Sequence, residues 1–85
     1  MMNDTLVYVH DHVADHLQNI GNKSHIIEFI EGLRSNPETV GDHREPDPRG
    51  RMIEIKILKR HALLFFKDPF AGIVKILDLQ NVESP

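Results

Sequence analysis

Before residue 37 the apolar positions of this chain recur every three or four residues, and after residue 51 they recur every second residue. Ile53, Ile55 and Ile57 alternate with Glu54 and Lys56, which predicts a strand with its isoleucines in the core and its charged residues in water. Residues 62–66, ALLFF, are apolar throughout and read as a central strand covered on both faces. Asp68-Pro69-Phe70-Ala71-Gly72 has the residues to reverse the chain, and 73–79 then returns as a third strand interrupted by Lys75 and Asp78. Residues 51–58, 62–66 and 73–79 are therefore predicted to form a three-stranded antiparallel meander.

Upstream, Val9, Val13, Leu17 and Ile20 recur at helical spacing, with acids at 11 and 15 near the start and Gly21 as a stop, predicting a helix over 11–20. Ser24 is placed to cap a second helix over 25–34, whose apolar face is Ile26, Phe29, Ile30 and Leu33 and which ends before Asn36-Pro37. So short a connection makes the two helices an antiparallel hairpin. Residues 6–9 read either as an edge strand or as a lead into the first helix. Residues 38–50, with no period and with Pro46, Pro48, Gly41 and Gly50, form a loop: either a flexible excursion or a short extra strand around 43–45 at the sheet edge. The tail 81–85 is polar and expected to fray. The fold class is α+β, an N-terminal helical hairpin packed on a twisted antiparallel β-sheet of three to four strands, with residues 1–85 as one domain.

Composition narrows the chemistry. With no cysteine, the chain has neither a disulfide framework nor a thiolate metal site, which favours a cytoplasmic location. No apolar run approaches the length of a bilayer span and no leader pattern opens the chain, so it reads as soluble and uncleaved. The net charge of −3 conceals a sorted distribution. Residues 1–40 carry Lys23 and Arg34 against Asp4, Asp11, Asp15, Glu28, Glu31 and Glu38. Residues 44–67 carry Arg44, Arg49, Arg51, Lys56, Lys59, Arg60 and Lys67 against Glu45, Asp47 and Glu54. The second half can attract phosphate, while the acidic whole weakens long-range steering of nucleic acid.

Two groups of side chains are candidates for chemistry. His12 and His16 lie one turn apart on the first helix, near His10, but no third ligand follows from the sequence and no metal or other cofactor is assigned. His25 and His43 read as exposed. Arg51, Lys56, Arg60 and His61 hold the parts that metal-independent RNA cleavage requires: cations for the charged transition state and a titrating group for proton transfer. The same residues, with Lys59, also serve as a solvated hairpin turn.

The succession Leu33-Arg34-Ser35-Asn36-Pro37, Gly41-Asp42-His43-Arg44-Glu45, a strand, a basic hairpin turn, Leu63-Leu64-Phe65-Phe66-Lys67-Asp68 and Ile73-Val74-Lys75-Ile76-Leu77 resembles the RelE/ParE toxin superfamily from about residue 6 to residue 79. Arg60-His61 stands where members commonly have Arg-Tyr. The resemblance implies a helical hairpin on one face of a twisted antiparallel sheet, often with an N-terminal strand at 6–9, and a toxin neutralised by a small antitoxin. RelE-like members cut mRNA on the ribosome, and ParE-like members inhibit DNA gyrase. RNA-cleaving members tend to carry His or Arg, and often Tyr, after the last strand, where this chain has Gln80-Asn81-Val82-Glu83-Ser84. The leading expectation is therefore a toxin-like protein that acts by binding its target. The alternatives are a ribosome-associated endoribonuclease using Arg51, Lys56, Arg60 and His61, and a small interaction domain that keeps only the fold. A sheet with helices on one side alone leaves an apolar groove for an antitoxin peptide, or for a second copy of the chain as a homodimer.

Overall fold

The computed structural model describes residues 5–82. Its elements, in chain order, are β1 (Leu6–Val9), α1 (Asp11–Gln18), α2 (Ser24–Ser35), β2 (His43–Pro46), β3 (Met52–Leu58), β4 (His61–Asp68) and β5 (Ile73–Asn81). All five strands join one sheet in the order β1-β5-β4-β3-β2. β1 runs parallel to β5, and the other neighbours are antiparallel. Among the described residues, no helix is long and apolar enough to cross a membrane.

The meander of β3, β4 and β5 and the central place of β4 agree with the period-two pattern, but the predicted architecture needs correction. The chain enters through a strand, the sheet has five strands and is mixed, and the helices do not form an N-terminal hairpin. Instead α1 packs on β5 and α2 packs on β1. The cause is the length of α1, whose eight residues offer only Val13 and Leu17 as buried positions, both used against the sheet core. Parallel pairing of β1 with β5 also requires a long crossover, and both helices lie within it.

Several ends differ as well. α1 stops at Gln18, where the Asn19 N–H bonds the His16 carbonyl and the Ile20 N–H the Leu17 carbonyl, before Gly21 is reached. Ser24 is the first residue of α2 rather than its cap, and its hydroxyl bonds the Asn22 side chain at 3.3 Å. The loop before β3 does contain a short edge strand, β2, paired His43 to Ile55 through Pro46 to Met52. Proline at its last position cannot extend the ladder. Asn81 belongs to β5, and the Val82 N–H bonds the Arg60 carbonyl at 2.7 Å, so the tail is ordered that far. The rest of the tail lies outside the described residues.

The cross-strand register decides which face each side chain takes, because residues directly opposite share a face. Leu63 and Phe65 lie fully buried under the helices, together with Val13, Leu17, Ile26, Ile30, Leu33, Val74, Ile76 and Leu79. Phe29 of α2 meets Phe65 edge-on at 5.7 Å between ring centroids. Leu63 is opposite Lys56, and Phe65 is opposite Glu54. The helix-covered face of β3 therefore carries Glu54 and Lys56, and Ile53, Ile55 and Ile57 take the other face, the reverse of the assignment that alternation suggested. Local pairing makes this possible. Glu54, 6% exposed, accepts bonds from the Gly41 N–H (2.8 Å) and from Arg44 Nε (2.9 Å to Oε2), while Lys56 Nζ lies 5.9 Å from the Phe29 ring centre and 3.4 Å from Asp42.

Gly41 passes so close to β3 that an added Cβ would lie 2.5 Å from the Ile55 carbonyl oxygen. Asp42 beside it accepts the Ile57 N–H at 2.8 Å, and this bond first, with Lys56, holds its carboxyl below the usual range. Together Gly41, Asp42 and Glu54 fasten the loop and β2 to the sheet.

Two stability outcomes are expected. Phe65→Ala should cost about 3–5 kcal/mol by urea unfolding, since its ring is fully enclosed, whereas Ile27→Ala on the exposed side of α2 should change the midpoint little. Glu54→Ala should cost about 1–3 kcal/mol by leaving the Gly41 N–H and Arg44 without their acceptor, and should raise amide exchange across residues 41–46.

Candidate functional site

The second sheet face has no helix over it. It presents Leu6 and Tyr8 from β1, Ile73, Lys75 and Leu77 from β5, Leu64 and Phe66 from β4, and Ile53, Ile55 and Ile57 from β3. Leu6 is 66% exposed, Tyr8 47% and Ile57 38%, so the face is apolar and open at both margins. The register shift between β4 and β5 pairs Leu64 with Asp78 and Phe65 with Ile76, which leaves Leu77 as an extra residue and bends β5. Beside this bend lies a depression of about 430 Å³ lined by Tyr8, His10, Arg51, Ile73, Lys75 and Leu77. Tyr8 and His10 meet edge-on at 5.2 Å between ring centroids.

The cations at this groove are already paired. Arg51 stacks on Phe66, its guanidinium carbon 4.9 Å from the ring centre, and its Nε lies 2.6 Å from Asp47. Burial acts to raise the Asp47 carboxyl, but the Arg51 side chain, the Arg51 and Arg49 N–H groups and the Arg51 charge together hold it below its ordinary value. Lys75 Nζ lies 3.3 Å from Asp68. Asp68 also accepts the Phe70 and Ala71 N–H groups that shape the β4–β5 turn, and the Ala71 bond is the main reason its carboxyl is depressed. Internal pairing leaves little free positive charge for a phosphate backbone and favours a ligand that is mainly apolar.

The four residues selected from the sequence do not converge as one cluster. Arg51 precedes β3 on the open face, and Lys56 points to the helix side of the same strand. Arg60 is exposed in the hairpin turn beyond the other end of β3, which at a rise of about 3.3 Å per residue puts it roughly 20 Å or more along the strand from Arg51. The turn is tight. Lys59 adopts a φ of 58°, a conformation that lends the basic tip some strain. His61 opens β4 on the helix side, opposite Leu58 and Asn81, with its ring 6.1 Å from that of His16. His12 turns instead to Asp78, 3.6 Å away. Among the described residues, no three His, Asp or Glu side chains are arranged to hold a metal ion.

Tyr8, Phe66, Lys75 and Leu77 were not among the candidate residues read from the sequence, and His10 was weighed only beside His12 and His16. The signal for part of this set was present: Ile73, Lys75 and Leu77 stand at every second position and therefore share a face if 73–77 is a regular strand. Tyr8 and His10 reach the same groove only through the parallel pairing of β1 with β5, which no local pattern announces. No known protein-family profile matches the chain, and no curated protein matches its sequence, so the functional reading rests on the residues and their geometry.

Proposed function

We propose that this chain is a toxin-like binding protein of the RelE/ParE kind, and that its open sheet face docks an apolar segment of a partner protein, in the first place an antitoxin peptide. The observation that carries the reading is that face itself: contiguous apolar side chains from β1, β5, β4 and β3 with no helix laid over them, Ile53 buried and Leu6, Tyr8 and Ile57 exposed. Such a face on so small a protein is costly to leave in water and is the usual mark of an interaction site. An amphipathic helix laid across it, or a strand added at the β1 edge, would cover it. A cytoplasmic setting fits the absence of cysteine.

Binding is favoured over cleavage by placement. A nuclease built on the sequence-selected residues needs Arg51 beside Lys56, Arg60 and His61, and β3 separates them by face and by length. Gln80 and Asn81 end β5 without supplying a cation or a proton donor that titrates near neutrality.

Induced expression, alone and together with the product of the neighbouring open reading frame, tests the proposal. Expression alone should slow growth, co-expression should relieve it, and the two products should elute together on size exclusion. Tyr8→Glu combined with Ile57→Glu, both on exposed positions and expected to leave the circular dichroism spectrum unchanged, should weaken that complex at least tenfold. A complex indifferent to both changes, or no association at all, would remove the basis for the reading. Codon-dependent mRNA cutting on translating ribosomes, abolished by His61→Ala, would replace it with the nuclease alternative.

A further inference from the structure

Three histidines that the groove does not use meet on the helix side of the sheet. His16 comes from the last turn of α1, His25 from the first turn of α2 and His61 from the start of β4. We infer that these imidazoles form a proton-operated latch, which when neutral holds α1 and the start of α2 against the β4–β5 end of the sheet and when protonated releases them.

The geometry is suited to neutral rings. His16 Nδ1 lies 2.9 Å from the Leu79 carbonyl oxygen, which can only accept, so Nδ1 carries the proton and the bond ties α1 to β5. The His61 ring stands across from it at an interplanar angle of 71°. His61 Nδ1 and both ring nitrogens of His25 are buried and find no hydrogen-bond partner among the protein atoms. An imidazolium has two N–H donors to satisfy, and the protein offers no acceptor to His61 Nδ1 or to either ring nitrogen of His25.

Charged groups on the surrounding elements do not compensate. On α1, Asp15 is exposed and His12 is engaged with Asp78 of β5. On α2, Glu28 is exposed, and Lys23 just before the helix donates to the Leu17 carbonyl at 3.1 Å. Lys59 and Arg60 immediately precede His61, Lys56 of β3 is paired with Asp42, and β5 brings Gln80 and Asn81. Among the described residues, no carboxylate forms an ion pair with any of the three rings. The helix dipoles act in opposite directions, favouring charge on His16 at the end of α1 and opposing it on His25 at the start of α2. Burial first, then His16 and His25, lower the His61 pKa below 6.5.

The sign follows. His61 stays neutral in the folded protein at a pH where the unfolded chain has already taken up the proton, so its contribution is fully present above about pH 6.5 and is lost as pH falls from there through the lowered folded value. α1 is the element set free, because its attachment to the sheet is light: the His16 to Leu79 bond, the exposed His12–Asp78 contact and two buried apolar residues. An acid environment would thereby expose Val13 and Leu17 without unfolding the strand ladder.

The test is an NMR pH titration of the ¹⁵N-labelled full chain from pH 8 to 5, with urea unfolding at matched pH. The His61 ring is expected to titrate below 6.5. The amide signals of residues 11–27 should shift or broaden in the same window while those of β3 and β4 stay fixed. At pH 6, unfolding should take up more protons in the wild type than in His61→Phe, by at most about three-quarters of a proton for an unfolded-chain value near 6.5. A His61 ring titrating at or above 6.5, or amide changes spread evenly over the sheet, would overturn the latch without any variant. Equal proton uptake in the wild type and a folded His61→Phe would do the same.

Discussion

The pairing of β5 with β1 on one side and β4 on the other is what the rest of this structure depends on. It brings residues 6–9 against residues 73–76, nearly the full length of the described chain apart, and it sets both helices on the same side as Leu63, Phe65, Val74 and Ile76. Without β1 the outer edge of β5 would be an open ladder, and α2 would lose the strand it packs on. Long-range pairing of this kind costs loop-closure entropy before it returns any contact energy, so the fold depends on the fully buried core residues that gather behind it.

That commitment determines what each face of the sheet can do. The helix side is filled by apolar groups, and the charged residues of β3 that fall on it, Glu54 and Lys56, survive because Arg44, Gly41 and Asp42 reach them. The opposite side keeps its isoleucines, Leu64, Phe66 and Tyr8 with no helix over them, and its cations are neutralised by Asp47 and Asp68. An apolar, internally charge-balanced face selects for protein segments over phosphate backbones. The two sides thus differ in kind: one is closed and bears the proton-sensitive imidazoles, the other is open and suited to a partner.

Polar groups left without partners in the interior are uncommon in folded proteins, and here they are confined to His25 and His61 among the described residues. Their position at the junction of α1, α2 and β4 gathers these unpartnered nitrogens at one end of the sheet. The opposite end is held by the Asp68 turn, while the bonds of Asp42 and Glu54 fasten the loop before β2 along the β3 edge.

Taken alone, the sequence determined the elements with local signals. The meander of β3, β4 and β5 follows from period-two alternation and from turn residues at 59–60 and 68–72, and α2 follows from Ile26, Ile30 and Leu33 at helical spacing. It left residues 6–9 and 43–45 open, since four-residue segments carry too little period to separate strand from loop. Tertiary structure alone decided that β1 runs parallel to β5, that α1 joins the sheet rather than α2, and that Ile53, Ile55 and Ile57 face away from the helices. The physical reason is the same in each case. Alternation tells which residues of a strand share a face, but which face is covered depends on the handedness and register of pairings dozens of residues apart, and on partners such as Arg44 and Gly41 that make a buried Glu54 tolerable.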